Sequence, residues 1–308
     1  MKFRGCKGRY LVLMRTFFMF LVTSIPPARS PLCMQVIQTI SDLRQALDKV
    51  HAAGKKISLV PTMGCLHAGH LSLIKRARAE ADFTVVSIFV NPTQFGPNED
   101  FSKYPRTFET DRDACSKASV DLIFAPTVEE FYPKNANTWV DVEKVTTGLC
   151  GAFRPGHFRG VSTVVAMLFN VIQPTCAVFG RKDLQQCVVI KQMVHDLHIP
   201  VKVIIDETVR EPNGLALSSR NRYLTPEELQ KATAIPAACK VAQELVQKGE
   251  TNPILIEKAA FKRLTLDASL RVQYLKVVHR ETLSEVTKIL PGECVLALAC
   301  YLGNHSTT

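Results

Sequence analysis

The chain has 308 residues, 46% hydrophobic and 21% charged, which suffices for one large domain or two ordinary ones and excludes general disorder. Its formal net charge is +10, but residues 1–33 carry Lys2, Arg4, Lys7, Arg9, Arg15 and Arg29 with no acid, so the rest of the chain holds only a small surplus. That surplus fits an ordinary surface or a site for anionic ligands, and no basic run interleaved with aromatics speaks for a nucleic-acid partner.

Residues 1–33 combine a basic start, an apolar stretch from Thr16 to Ile25, and small residues at Ala28 and Ser30. They resemble a secretory signal peptide, fit an acid-poor transit sequence, or form an extension upstream of a true start at Met34. The apolar stretch is short for a membrane span, and no other segment is expected to span, so no membrane partner is expected.

From Met34 onward the pattern predicts a strand over Gln35–Thr39 and a helix over Asp42–Ala53, capped by Ser41 and stopped by Gly54. Strand Ile57–Val60, helix Leu71–Ala81 and strand Phe83–Val90 follow, then a polar loop over 91–105. Helix Phe108–Ala118, strand Val120–Phe124 and a short strand Thr138–Val142 come next. Helix Val161–Val171, strand Thr175–Phe179, helix Leu184–Leu197 and strand Val201–Ile205 complete this half. Alternating strand and helix, with strands apolar almost throughout, predicts an α/β fold with a Rossmann-like, doubly wound parallel sheet. Past Glu207 a helix beginning at the Thr225-Pro226-Glu227-Glu228 cap runs to Gln247. A helix over Ile254–Leu264 and strands Val272–Val278 and Cys294–Tyr301 indicate a smaller C-terminal α+β domain. The expected organisation is an extension over 1–33, a ligand-binding domain over 34–206 and a lid domain over 207–308.

Five segments can carry chemistry. In Val60-Pro61-Thr62-Met63-Gly64-Cys65-Leu66-His67-Ala68-Gly69-His70, a strand, a glycine turn and two histidines lead into a helix. Backbone N–H groups and the helix dipole would face an anion there. His67 and His70, three apart, can stabilise charge on phosphates, bind a metal, or merely cap the turn. The strand ending Asn91-Pro92-Thr93-Gln94 places an amide that hydrogen-bonds a polar substrate or faces solvent. Arg154-Pro155-Gly156-His157-Phe158-Arg159-Gly160 is a rigid basic loop before a helix, an anion site or a solvated turn. At Gly180-Arg181-Lys182-Asp183, Lys182 can neutralise a phosphate or carboxylate and Asp183 can accept from ribose hydroxyls, unless the two form a plain exposed pair. Gln186 lies one helical turn beyond Asp183. Ser218-Ser219-Arg220 can grip a polyphosphate, a weak signal alone. Neither a P-loop nor a G-x-G-x-x-G segment is present. The ten cysteines include no C-x-x-C pair and are expected as buried, reduced thiols of a cytosolic protein.

Taken in order, PTMG-x-LH-x-GH from Pro61, SIFVNP-x-QF from Ser87, YPRT from Tyr104, RPGHFRGVSTVV from Arg154, KD-x-QQ from Lys182 and GLALSSRNRYL from Gly214 resemble the pantothenate synthetase (pantoate–β-alanine ligase) family of the H-x-G-H nucleotidyltransferase superfamily. The resemblance covers about Met34 to Gly303. It implies an AMP-forming acid–amino-acid ligase that joins (R)-pantoate to β-alanine through a pantoyl adenylate, with ATP as co-substrate and Mg²⁺ accompanying it. It further implies nucleotide contacts from Met63, Gly64, Cys65, Leu66, His67, Ala68, Gly69 and His70, with His70 catalytic. Gly180, Arg181, Lys182 and Asp183 are implied for ATP as well, Val209 by its backbone at adenine, and Leu217, Ser218, Ser219 and Arg220 over the phosphates. Gln94 and Gln186 would hold pantoate, and Gln94 would also border β-alanine; metal ligands are not implied. Arg181 stands where many relatives carry Glu, and the sequence after Gly303 departs from the usual T-R-L-I-D-N-like continuation. A cytoplasmic homodimer joined through the larger domain is implied. The alternatives are a related adenylyltransferase with another acceptor, in which the two glutamines and Arg154 serve that acceptor, and a non-catalytic RNA-binding relative.

Overall fold

A computed structural model describes residues 34–308 except 98, 100, 303, 304 and 308, so the reading of residues 1–33 lies outside the described residues. Six strands, β1 (Gln35–Ile37), β2 (Ile57–Thr62), β3 (Phe83–Ile88), β4 (Leu122–Phe124), β5 (Cys176–Gly180) and β6 (Lys202–Asp206), form one sheet in the order β1-β4-β3-β2-β5-β6. Every pairing in it is parallel.

Side-chain alternation along the strands feeds two cores. Ile57, Leu59, Val85, Leu122, Phe124, Ala177 and Phe179 point to one face and meet α1 (Ile40–Ala52), α6 (His157–Ile172) and α7 (Leu184–Asp196). Val60, Val86, Ile123, Cys176, Val178 and Ile204 point to the other face and meet α2 (Ala68–Glu80) and α3 (Phe108–Lys117). Burial on both faces is why these strands read as continuous apolar runs, and the sheet is doubly wound as the pattern predicted. On α1, Leu43 and Leu47 stand one turn apart and are fully buried. Truncating either to Ala is worth about 2–5 kcal/mol.

Beyond β6, α8 (Pro226–Ala232), α9 (Ala234–Gln247) and α10 (Pro253–Leu264) accompany an antiparallel sheet of β7 (Leu270–His279), β8 (Cys294–Leu302) and β9 (His305–Thr307). Their apolar residues, among them Ala238, Ile256, Leu264, Leu275 and Leu302, form a core of their own.

Several local expectations are corrected. Thr39, not Ser41, caps α1: its side chain accepts from Asp42 N–H, and Ser41 is already helical. The predicted strand 138–142 pairs with no strand among the described residues; Val140 N–H donates instead to Thr163 Oγ1 on α6 at 3.0 Å. The predicted single helix to Gln247 breaks at Thr233 into α8 and α9. Pro236 has no N–H for the carbonyl of Ala232, and its ring clashes with a continuous helix there. Helix α6 begins at His157, earlier than predicted, because Gly156 at φ +80° turns the chain directly into it. The short helices α4 (Val128–Phe131) and α5 (Cys150–Phe153) were not anticipated. Of the eight described cysteines, all free, five are buried and Cys150, Cys239 and Cys294 are half-buried.

Candidate active site

The chain leaves β2 toward β3 and β4, but leaves β5 toward β6 in the opposite direction. Such a switch point opens a crevice beyond the carboxyl ends of the two strands, where open α/β sheets bind ligands. A cavity of about 720 Å³ lies there, walled on its far side by residues of β7 and β8 such as Tyr274 and Leu296. Met63, His67, Gly69, His70, Gln94, Gly180, Arg181, Lys182, Asp183, Gln186, Val209, Leu217, Ser218, Ser219 and Arg220 all line it. Gly64, Cys65, Leu66 and Ala68 do not.

The β2–α2 turn explains that exclusion. The buried carboxylate of Asp111, on α3, accepts Cys65 N–H at 2.8 Å, Leu66 N–H at 2.7 Å and the Thr107 hydroxyl at 3.1 Å. Gly64 N–H goes to Thr62 Oγ1 at 3.1 Å. Gly64 itself is required: it holds φ +81°, and an added Cβ would sit 2.9 Å from Asp111 Oδ2. Cys65 holds a left-handed φ of 53° without being glycine.

The two histidines cap α2 reciprocally. Gly69 N–H donates to His67 Nδ1 at 3.1 Å, and His67 N–H to His70 Nδ1 at 3.3 Å. The expectation that this turn offers its amides to an anion is narrowed: those of residues 64, 65, 66, 67 and 69 bond within the protein. Each Nδ1 must be an unprotonated acceptor, which puts the remaining ring proton on Nε2. Burial, reinforced by Lys182 and Arg222, pushes His67 down to about 4. Burial and the neighbouring His67 push His70 down to about 3. Both rings are thus neutral near pH 7 and can offer Nε2–H donors to developing negative charge without carrying a charge themselves. Among the described residues no three His, Cys, Asp or Glu side chains converge to hold a metal, so the metal reading of the pair finds no third ligand.

Gln94, at the end of a 3₁₀ turn after β3, is oriented from its oxygen side. Asn91 Nδ2 donates to Gln94 Oε1 at 3.1 Å and to Gly160 O at 3.2 Å. Asn91 Oδ1 is in turn fixed by Thr93 and by the Tyr132 hydroxyl. Among the described residues Gln94 Nε2 meets only the weak acceptor Met63 Sδ, at 3.0 Å, which leaves it able to donate to a carboxylate or hydroxyl in the cavity. Gln185 and Gln186 divide their roles. Gln185 is buried and ties down the α5 loop through Val145 O, Gly148 O and Cys150 N–H. Gln186, the next residue on α7, lines the cavity.

Lys182 and Asp183 face the cavity from a 3₁₀ turn after β5, 3.5 Å apart. Burial raises the Asp183 carboxyl, but Lys182, Arg220 and His157 outweigh it and hold it below the usual carboxylate range. Arg181 pairs with Glu207 at 2.8 Å, and both line the cavity. Val209 accepts Leu217 N–H at 3.0 Å, closing the loop that brings residues 217–220 back over the cavity. That loop is fastened to the larger sheet's side: Ser219 Oγ meets the Tyr104 hydroxyl at 3.4 Å, and Tyr223 OH donates to Lys103 O at 3.5 Å. The Arg222 guanidinium donates to Leu66 O at 3.4 Å.

Asp111 carried no local signal in the sequence, because its partners lie 45 and 46 residues away. Glu99 and His157, which also line the cavity, were equally unmarked as a pair. Arg154, in the loop read as an anion site or a solvated turn, is not simply solvated: it lines the cavity and is half-buried in a fork with Glu99.

Comparison with known proteins identifies a family and similar solved structures. The family described as pantoate-beta-alanine ligase matches residues 35–307. A pantothenate synthetase of Thermoanaerobacter sp. (strain X514) is 51% identical over 270 residues, covering 88% of this chain and 95% of the relative. The crystal structure of pantothenate synthetase from Thermus thermophilus superposes with a TM-score of 0.85 at 44% identity, covering 89% of this chain and 97% of that one. A pantoate-beta-alanine ligase from Francisella tularensis, complexed with beta-gamma ATP and beta-alanine, matches with a TM-score of 0.72 at 33% identity, over 89% of this chain and 95% of that one.

Proposed function

The chain belongs to the pantoate–β-alanine ligase family, and from that premise we propose that its crevice carries out ATP-dependent condensation of (R)-pantoate with β-alanine through a pantoyl adenylate. The observation that carries the reading is the convergence on one cavity of neutral His67 and His70, the oriented amide of Gln94, Gln186, Lys182 and the 218–220 loop. A carboxylate is a poor acyl donor. In the first step a pantoate carboxylate oxygen attacks the α-phosphorus of ATP, and the bond to pyrophosphate breaks. In the second, the neutral amine of β-alanine attacks the acyl carbon, the C–O bond breaks, AMP leaves and the amine proton is lost. Neither step needs covalent help from the protein; positioning and charge neutralisation supply the acceleration.

His70 is the catalytic residue in this reading: its Nε2–H, with that of His67, stabilises charge on the reacting phosphates. The remaining ATP contacts run from Met63 to His70, chiefly through the cavity-lining Met63, His67, Gly69 and His70. Residues 180–183, Val209 and residues 217–220 complete them. Gln94 and Gln186 hold pantoate, and Gln94 borders β-alanine. Residues 34–206 form the ATP- and pantoate-binding domain and residues 207–308 its lid, a division supported by the separate core of the C-terminal part. A divalent ion such as Mg²⁺ fits this set as a companion of the nucleotide, since a hard cation keeps waters and phosphate oxygens and needs only one or two carboxylates. Asp183, held ionised beside Lys182, would hold it; when bound it neutralises phosphate charge. We further infer a cytoplasmic homodimer joined through the larger domain. No helix among the described residues is long and apolar enough to cross a membrane.

The test is pyrophosphate release from ATP by the purified chain. It is expected to require pantoate, and pantothenate is expected only once β-alanine is added. Pyrophosphate release indifferent to pantoate would favour an adenylyltransferase with another acceptor.

A further inference from the structure

Four of the five N–H donors of Arg154 meet acceptors within the protein. Nε and Nη2 fork onto the two carboxylate oxygens of Glu99 at 2.7 and 2.5 Å. Nη2 also donates to Gln94 O at 3.2 Å, and Nη1 to His157 Nε2 at 3.2 Å. A guanidinium has five N–H groups and no acceptor, and four of those five donors are committed to Glu99, Gln94 and His157. Because His157 Nε2 accepts from Arg154, its proton sits on Nδ1 and is donated to the same Gln94 carbonyl at 2.8 Å. Gln94 O is thus gripped by two side chains of one loop. The approach is close: an added Cβ on Gly160 would lie 2.4 Å from Thr93 O and 2.8 Å from Gln94 N. The Gln94 turn is therefore held at its carbonyl by Arg154 and His157 and at its side-chain oxygen by Asn91.

We propose that Arg154, oriented by Glu99, is a positioning residue for the pantoate subsite: it acts through the Gln94 carbonyl. This rests on the assignment of Gln94 to pantoate. Lysine at this place keeps the charge but, as a point donor, cannot span Glu99, Gln94 O and His157 together.

The test compares full-length wild type, R154K, Q94A and the double variant, by amide hydrogen exchange over residues 91–96 and by KM for pantoate and for ATP. R154K is expected to raise the pantoate KM about tenfold and leave the ATP KM within about twofold, the scale of a displaced positioning group. Exchange over residues 91–96 is expected to quicken by about tenfold or more. In the Q94A background the same Arg-to-Lys change is expected to alter the pantoate KM by less than about twofold, because the two residues act as one unit. Unchanged exchange in R154K, or an equal loss of pantoate affinity in both backgrounds, overturns the proposal. Should R154K not fold, E99Q keeps the guanidinium but weakens its fork, and an increase of about threefold in pantoate KM is expected; no increase overturns the proposal. If wild type releases no pantoate-dependent pyrophosphate, the ligase reading falls, and the exchange measurement decides the clamp by itself.

Discussion

Asp111→Asn removes one oxygen from the carboxylate that organises the histidine turn. Oδ2 serves Cys65 N–H and Thr107 Oγ1, and Oδ1 serves Leu66 N–H. The milder orientation of the new amide keeps its oxygen at the Oδ2 place and sets its NH₂ against Leu66 N–H. One charge-assisted bond is lost, worth about 1.5–3 kcal/mol, and a buried N–H is left without an acceptor at about 1–3 kcal/mol more. The bonds that survive drop to roughly half strength as the acceptor becomes neutral. Release from burying a charge offsets part of this, leaving a net destabilisation of about 2–4 kcal/mol, less than the stability of an ordinary domain. Urea unfolding measured by circular dichroism gives this difference directly. The folded variant is also expected to form adenylate about 10–100-fold more slowly, because the turn that carries His67 and His70 shifts. A change in unfolding free energy below about 0.5 kcal/mol would refute the role assigned to Asp111.

Three further outcomes are expected. His70→Ala should slow pantoate-dependent pyrophosphate release by about 10²-fold or more, the scale of an oxyanion-hole donor, and an unchanged rate would remove His70 from the chemistry. Gly160→Ala drives a methyl group into the backbone of Thr93 and Gln94, so about 1–3 kcal/mol of stability and about tenfold in pantoate KM should be lost; a variant with wild-type melting temperature and KM contradicts that contact. Stability should fall as pH drops below 6.5, because the unfolded chain takes up protons there that folded His67, His70 and His157 refuse until about 4, 3 and 4. Each contributes a slope approaching about 1.4 kcal/mol per pH unit between those limits, and His70→Asn should remove about one proton's worth from urea titrations at pH 6 and pH 5.

The parallel sheet was legible because burial on both faces leaves nearly unbroken apolar runs at β2, β3 and β5, although two of those strands were expected to end at Val60 and Phe179 and run on to Thr62 and Gly180. The cavity-lining side chains of His67, His70, Gln94, Gln186 and Lys182 were legible as chemistry-bearing types at strand ends. What stayed hidden depends on distant partners. Nothing near Cys65 foretold that Asp111 would take its amide. Nothing in the Arg154 loop foretold Glu99, 55 residues earlier, as the partner of its guanidinium. Residues 138–142 alternate like a strand, yet their hydrogen bonding goes to Thr163 on a helix, a choice made by tertiary packing rather than by propensity.

The central claim is that pantoate is activated as an acyl adenylate, and isotope transfer tests it most directly. Pantoate labelled with ¹⁸O in its carboxylate is incubated with the full-length protein, ATP, Mg²⁺ and β-alanine, and the products are read by mass spectrometry. The carboxylate oxygen that attacks the α-phosphorus stays with it when the amine displaces AMP, so label is predicted in the phosphate of AMP and not in pyrophosphate. Pantothenate formed without label in AMP, or label appearing in pyrophosphate or inorganic phosphate, would contradict the account.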